Sequence, residues 1–214
     1  MRYKSKEEAQ QDHIDNYRSD GLLKGKGSRY SSDYFRVRYI LSEIKPNSYV
    51  LDIGVNTGAV ALRMMREKKC YVKGIDIVPE LVKKARKRGV FAEVGEAEDL
   101  SRFKDNSMDY VVCSEVLEHL YDPLPAMKEA HRVLKEGGKY IVTVPHPHGR
   151  LCDDGFLGDY HQQNFSLEAL DTLFHNVFER NKVNFVEIKY IPEYCHANGL
   201  NPDQPQWIGL SAIK

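Results

Sequence analysis

Residues 49–68, read as YVLDI, GVNTG and then AVALRMMREK, constrain the fold more than any other stretch. The opening run is almost wholly apolar, which suits a strand buried on both faces. A turn of small residues follows, and then a segment of helical periodicity. The same order repeats along the chain. Strand-like runs fall at residues 70–77, 90–94, 108–114 and 139–145, and helix-like segments at 79–89, 123–138 and 166–177. Pro79 and Pro123 open two of these helices, Ser166 caps a third, and Gly89 and the Gly137-Gly138 pair stop two. Such alternation predicts a mainly parallel sheet with helices on both faces. Residues 184–191 and 206–213 read as a closing antiparallel pair of strands.

Composition narrows the function classes. A chain of 214 residues suits one domain with a full-sized core. Lys plus Arg and Asp plus Glu both number 31, so no global field draws the protein to nucleic acid or anionic lipid. No apolar run approaches the roughly 20 residues of a membrane span. Residues 1–21 lack the apolar core of a secretory signal. Cys70, Cys113, Cys152 and Cys195 are widely separated, without the paired spacing of zinc or redox sites. Buried free thiols and a cytoplasmic setting are therefore expected. The basic run from Lys83 to Arg88 reads as a solvated helix face whose charges suit a helix C-terminus.

In an open α/β sheet, ligands bind beyond the carboxyl ends of the strands. The turn from Gly54 to Gly58 lies there, and its glycines let backbone approach a ligand closely. It is not a dinucleotide fingerprint, because the matching positions are Gly54, Asn56 and Ala59. Asp52 would repel a pyrophosphate but attract an amine, so a cationic cofactor fits better. Asp76, at the tip of the second strand, suits ribose hydroxyls. Glu96 and Ala97, after the third, can meet an adenine edge. Together these strand ends describe a pocket for a nucleoside joined to an amino acid.

The runs VLDIGVNTG, GIDIV, VGEAEDL and MDYVVCSEVLEHLYDP, followed by AHRVLKEGGKYIVTVP, resemble class I S-adenosylmethionine-dependent methyltransferases in order and spacing. The likeness covers roughly residues 49–145 and includes the ubiquinone-biosynthesis O-methyltransferases. It implies a Rossmann-like, seven-stranded, mostly parallel sheet with one antiparallel strand. It also implies S-adenosyl-L-methionine as cofactor, held by Asp52, Gly54, Val55, Asn56 and Gly58 at the methionine end, Asp76 and Ile77 at the ribose, Glu96 and Ala97 at the adenine, and Ser114 on the floor. The family's usual middle glycine is Asn56 here, a residue that also takes left-handed geometry.

The run SEVLEHL follows the fourth strand. If helical, it places Glu115, Glu118 and His119 on one face, a set of oxygen and imidazole donors. Two groups of related methyltransferases use such a run to bind a divalent metal, and that resemblance adds His161 and implies Mg or Mn. Other relatives keep the run as a metal-free polar rim. Both readings stay open. His146 and His148, beyond the fifth strand, and Glu115 are candidate bases for a hydroxyl acceptor.

Residues 1–30 are expected to form a small N-terminal helical lid, with Arg29 and Tyr30 as its contacts, and residues 31–214 the methyltransferase domain. Phe156 and Tyr160 mark a second covering loop. The expected reaction is O-methylation of a small molecule. Two alternatives remain: a metal-dependent RNA 3′-end 2′-O-methyltransferase and a non-catalytic cofactor-binding scaffold. Neutral charge disfavours a nucleic acid without excluding it. The acceptor and the oligomeric state are not encoded legibly.

Overall fold

A computed structural model describes residues 5–19, 33–148, 163–189 and 201–214. Two helices, α1 (Lys6–Ser19) and α2 (Asp33–Glu43), precede the alternating core. The core runs β1 (Tyr49–Ile53), α3 (Ala59–Lys68), β2 (Tyr71–Asp76), α4 (Pro79–Lys87), β3 (Phe91–Val94), β4 (Met108–Ser114), α5 (Pro123–Val133) and β5 (Leu134–Pro145). Helix α6 (Leu167–His175) and strands β6 (Val183–Lys189) and β7 (Pro205–Ile213) complete it. The strands form one sheet in the order β3-β2-β1-β4-β5-β7-β6, and β7 is antiparallel to both neighbours. This is the expected seven-stranded, mostly parallel sheet with one antiparallel strand. Strand order reverses between β1 and β4, so their carboxyl ends flank the topological switch point where ligands bind.

Two apolar layers cover the sheet. On one side Ile40 and Leu41 of α2 with Ile44 just after it, Ala61 and Met64 of α3, and Val82 and Ala85 of α4 pack on Val50, Val72 and Val112. On the other side α5 and α6 cover Leu51, Val111 and Tyr140, whose ring stacks with Phe174 and Phe178 at 6.0 Å. Ser166 caps α6, its hydroxyl accepting from the Ala169 N–H at 3.1 Å. Ser5 does the same for α1, accepting from Glu8 N–H at 3.3 Å.

Two expectations are corrected. The helix expected over residues 123–138 ends at Val133, because the N–H groups of Asn106 and Ser107 capture the carbonyls of Arg132 and Val133. Leu134 then pairs with Met108 and starts β5. The SEVLEHL run is not an α-helix. It holds a single 3₁₀ turn, Leu117–His119. The basic run is the exposed helix face expected of it, and two of its arginines also bond to the fold: Arg86 Nε donates to the Ala92 carbonyl at 2.6 Å on the sheet edge, and Arg88 donates to Thr57 O and Oγ1 at 3.1 and 3.0 Å. Cys70 and Cys113 are buried free thiols, as expected. Cys152, Cys195, Arg29, Tyr30, Phe156 and Tyr160 lie outside the described residues. No described helix is long and apolar enough to cross a membrane.

Candidate functional site

The carboxyl ends of β1, β2, β3 and β4 open onto a cavity of about 570 Å³, a volume typical of small-molecule sites. Every residue expected to hold a cofactor lines it except Gly58, which lies behind the turn. The turn is built by backbone. Gly54 and Val55 both donate to the Ile75 carbonyl at 2.9 Å. Gly54 has φ 73°, and a Cβ there would sit 2.3 Å from Val116 Cγ2. Gly58 has φ 79° and packs on Val90 and Ala85 of the neighbouring helix region. Asn56, at φ 50°, takes the left-handed geometry anticipated for it.

Charge is concentrated on the floor. Asp52 is 2% exposed, and its Oδ2 has no hydrogen-bond partner among the described residues. Burial, and then the Asp76 carboxylate, push its carboxyl up to about 7, while Arg36 pulls the other way. Asp76 accepts from Val78 N–H at 2.9 Å and from Asn56 N–H at 2.8 Å. Burial outweighs those bonds and raises its carboxyl to about 6. A cavity floored by two desolvated carboxylates is primed for a cation.

Arg36 is a cavity residue that the sequence pattern did not single out. It lines the cavity from α2, is buried, and donates to Ser114 Oγ. A signal existed: Arg36 stands one helical turn from Ile40 and two from Ile44, on the buried stripe itself. From Ser114 a hydrogen-bond chain continues to Thr143 Oγ1 at 2.8 Å and from there to Glu115 Oε1 at 3.0 Å. Trp207 Nε1 donates to the other Glu115 oxygen at 3.2 Å. Glu115 itself adopts φ 56°, strained for a residue with a Cβ.

The metal set does not assemble. Among the described residues no three His, Cys, Asp or Glu groups converge as metal ligands. The 3₁₀ turn breaks the helical spacing that would align Glu115, Glu118 and His119. Glu118 is 1% exposed, and burial, then the Glu115 charge, raise its carboxyl well above the usual range. His119 lines the cavity, whereas Glu118 does not. His161 falls outside the described residues. His146 and His148 are also set apart from the cavity lining. His146 is buried, its Nδ1 accepts from His148 N–H at 3.1 Å, and burial lowers its affinity for a proton.

Residues 51–142 match the family described as a methyltransferase domain. This segment, from β1 to β5, is similar to a methyltransferase domain. It is similar to an uncharacterised protein of Methanocaldococcus jannaschii, 38% identical over 119 residues, which are 55% of this chain and 52% of that one. It is also similar to the ubiquinone biosynthesis O-methyltransferase of Xanthomonas oryzae, 36% identical over 118 residues, 52% of this chain and 47% of that one. The chain thus spans about half the length of these curated relatives. In three dimensions it resembles a SAM-dependent methyltransferase of Thermotoga maritima, with a TM-score of 0.67, 24% identity, and 97% and 99% of the two chains covered. The fold shared with that structure extends beyond the matched segment into β7, the antiparallel strand.

Proposed function

We propose that the protein transfers a methyl group from S-adenosyl-L-methionine to a hydroxyl of a small molecule. The observation that carries this reading is Asp52: a buried carboxylate on the cavity floor with one oxygen that accepts no hydrogen bond among the described residues. When bound, S-adenosylmethionine supplies a methyl group already activated on a sulfonium. Asp52 Oδ2 accepts the amino-acid ammonium, and Arg36 pairs with the adjoining carboxylate. Asp76 takes the ribose hydroxyls, and the Ala97 backbone with Glu96 meets the adenine. The protein's main contribution is then proximity and alignment for an in-line displacement.

Glu115 is the proposed base. Thr143 and Trp207 fix its carboxylate at the cavity wall, and burial raises the neighbouring Glu118 carboxyl well above the usual range. An oxygen acceptor needs such a base, and the Xanthomonas relative is named for O-methylation. The Glu115, Glu118 and His119 arrangement does not fit a three-ligand metal, and no step is routed through one.

Incubation with methyl-labelled cofactor and a panel of phenols, followed by mass analysis, tests the reading. Methylated product at oxygen is the expected result, and Glu115→Gln should lower kcat about 100-fold, within the usual range for a general base. Cofactor binding without any turnover across hydroxyl and amine acceptors would favour a scaffold instead. Arg36→Ala should weaken S-adenosylhomocysteine roughly 10- to 100-fold, as expected for a charge-assisted pair. A decarboxylated analogue should lose less than about 3-fold, by the same reasoning.

A further inference from the structure

Helix α1 meets the loop just after β3. Lys6 Nζ lies 2.9 Å from Glu96 Oε2 and 2.8 Å from Glu98 Oε2. Gln10 Nε2 donates to the same Glu96 oxygen at 3.0 Å. Lys6 and Gln10 are one helical turn apart and share a face, and Ala9 beside them is buried. Gln10, Glu96 and Glu98 all line the cavity. Both α1 donors take Oε2, so Oε1 of Glu96 accepts no hydrogen bond from the described residues.

We infer that Lys6 and Gln10 set the base specificity of the cofactor site, by fixing the Glu96 carboxylate so that Oε1 is kept for an exocyclic amine. This rests on the S-adenosylmethionine reading given above. An ionised carboxylate only accepts hydrogen bonds. It therefore favours adenine, whose 6-position carries a donor amine, and opposes hypoxanthine, whose 6-position carries an acceptor oxygen. Discrimination of this kind depends on a polar group that is held in place, because a free one turns away from the wrong ligand. The Glu96 side chain is 42% exposed and would be free to turn without α1. The Lys6 and Gln10 bonds also hold its carboxyl below the usual range, which keeps it ionised at neutral pH. Lys6 and Gln10 are thus positioning residues, acting through Glu96 from a segment 86 residues earlier in the chain.

The test is calorimetric binding of S-adenosylhomocysteine and S-inosylhomocysteine to the full chain and its variants. The wild type should prefer the adenosyl ligand by roughly 30-fold, the scale of one hydrogen-bond mismatch. In the Lys6→Met/Gln10→Leu double variant that preference should fall below about 3-fold, with inosyl affinity unchanged. Glu96→Gln should bring the ligands near parity, because an amide can also donate to the oxygen. Gln11→Ala, on the exposed side of α1, should leave the preference intact. An unchanged preference in the double variant, or equal loss of both ligands, would overturn the inference. Failure of the wild type to bind either ligand would instead overturn the cofactor reading, and this inference with it.

Discussion

Asp52→Asn is expected to stabilise the ligand-free fold at pH 8 by roughly 2 kcal/mol while lowering affinity for S-adenosylhomocysteine at least ~100-fold. Both effects come from one desolvated carboxylate. Its folded pKa of about 7 lies above the unfolded value of about 3.9. A raised carboxyl contributes stability that is present below the unfolded pKa and lost as pH rises through the folded one. At pH 8 the wild type therefore holds a buried charge that asparagine does not. The advantage of the variant should shrink as pH falls below 7 and vanish near the unfolded pKa. Urea melts of both proteins at pH 8 and pH 5 measure this. A variant less stable than wild type at pH 8 would mean that Arg36 already compensates the Asp52 charge fully, and that the floor is not waiting for a cation.

Gly54→Ala is expected to cost about 2–4 kcal/mol and to abolish cofactor binding. Two independent penalties add at this position. The backbone sits at φ 73°, where a Cβ is strained, and the Cβ itself would meet Val116 Cγ2 at 2.3 Å. Val116 belongs to the cavity wall, so whatever relaxes must deform the pocket. The double variant Gly54→Ala/Val116→Ala separates the terms. It should recover the steric part and leave only the conformational part, about 1–2 kcal/mol. No recovery would show that the turn's conformation, rather than its packing against Val116, limits stability.

The parts legible in sequence were those written in local pattern. β1 announced itself because both its faces are buried, and Asp52 stood out as the one charge in an apolar run. The turn after it was legible because positive φ selects Gly and Asn at particular places. The run from Glu115 to His119 misled for the opposite reason. Its helical spacing was real, but Glu115 enters a left-handed conformation and the segment closes as one 3₁₀ turn, which no periodicity encodes. Contacts made across the fold were hidden as well. Lys6 and Gln10 meet Glu96, and Trp207 meets Glu115 from 92 residues away. Arg36 lay between, since its place on the buried stripe of α2 was visible while its partner Ser114 was not. His146 and His148 looked catalytic by position after β5, yet their hydrogen bonds hold that loop rather than line the cavity.

That the strand ends of β1, β2 and β3 hold S-adenosylmethionine through this chain's own residues is tested most directly by calorimetric titration of the full chain with S-adenosylhomocysteine, in chelator and again with Mg. One site per chain with a Kd on the order of micromolar or tighter, the same in both buffers and lost in Asp52→Asn, is the expected result. No binding in either buffer, or binding indifferent to Asp52, would contradict it.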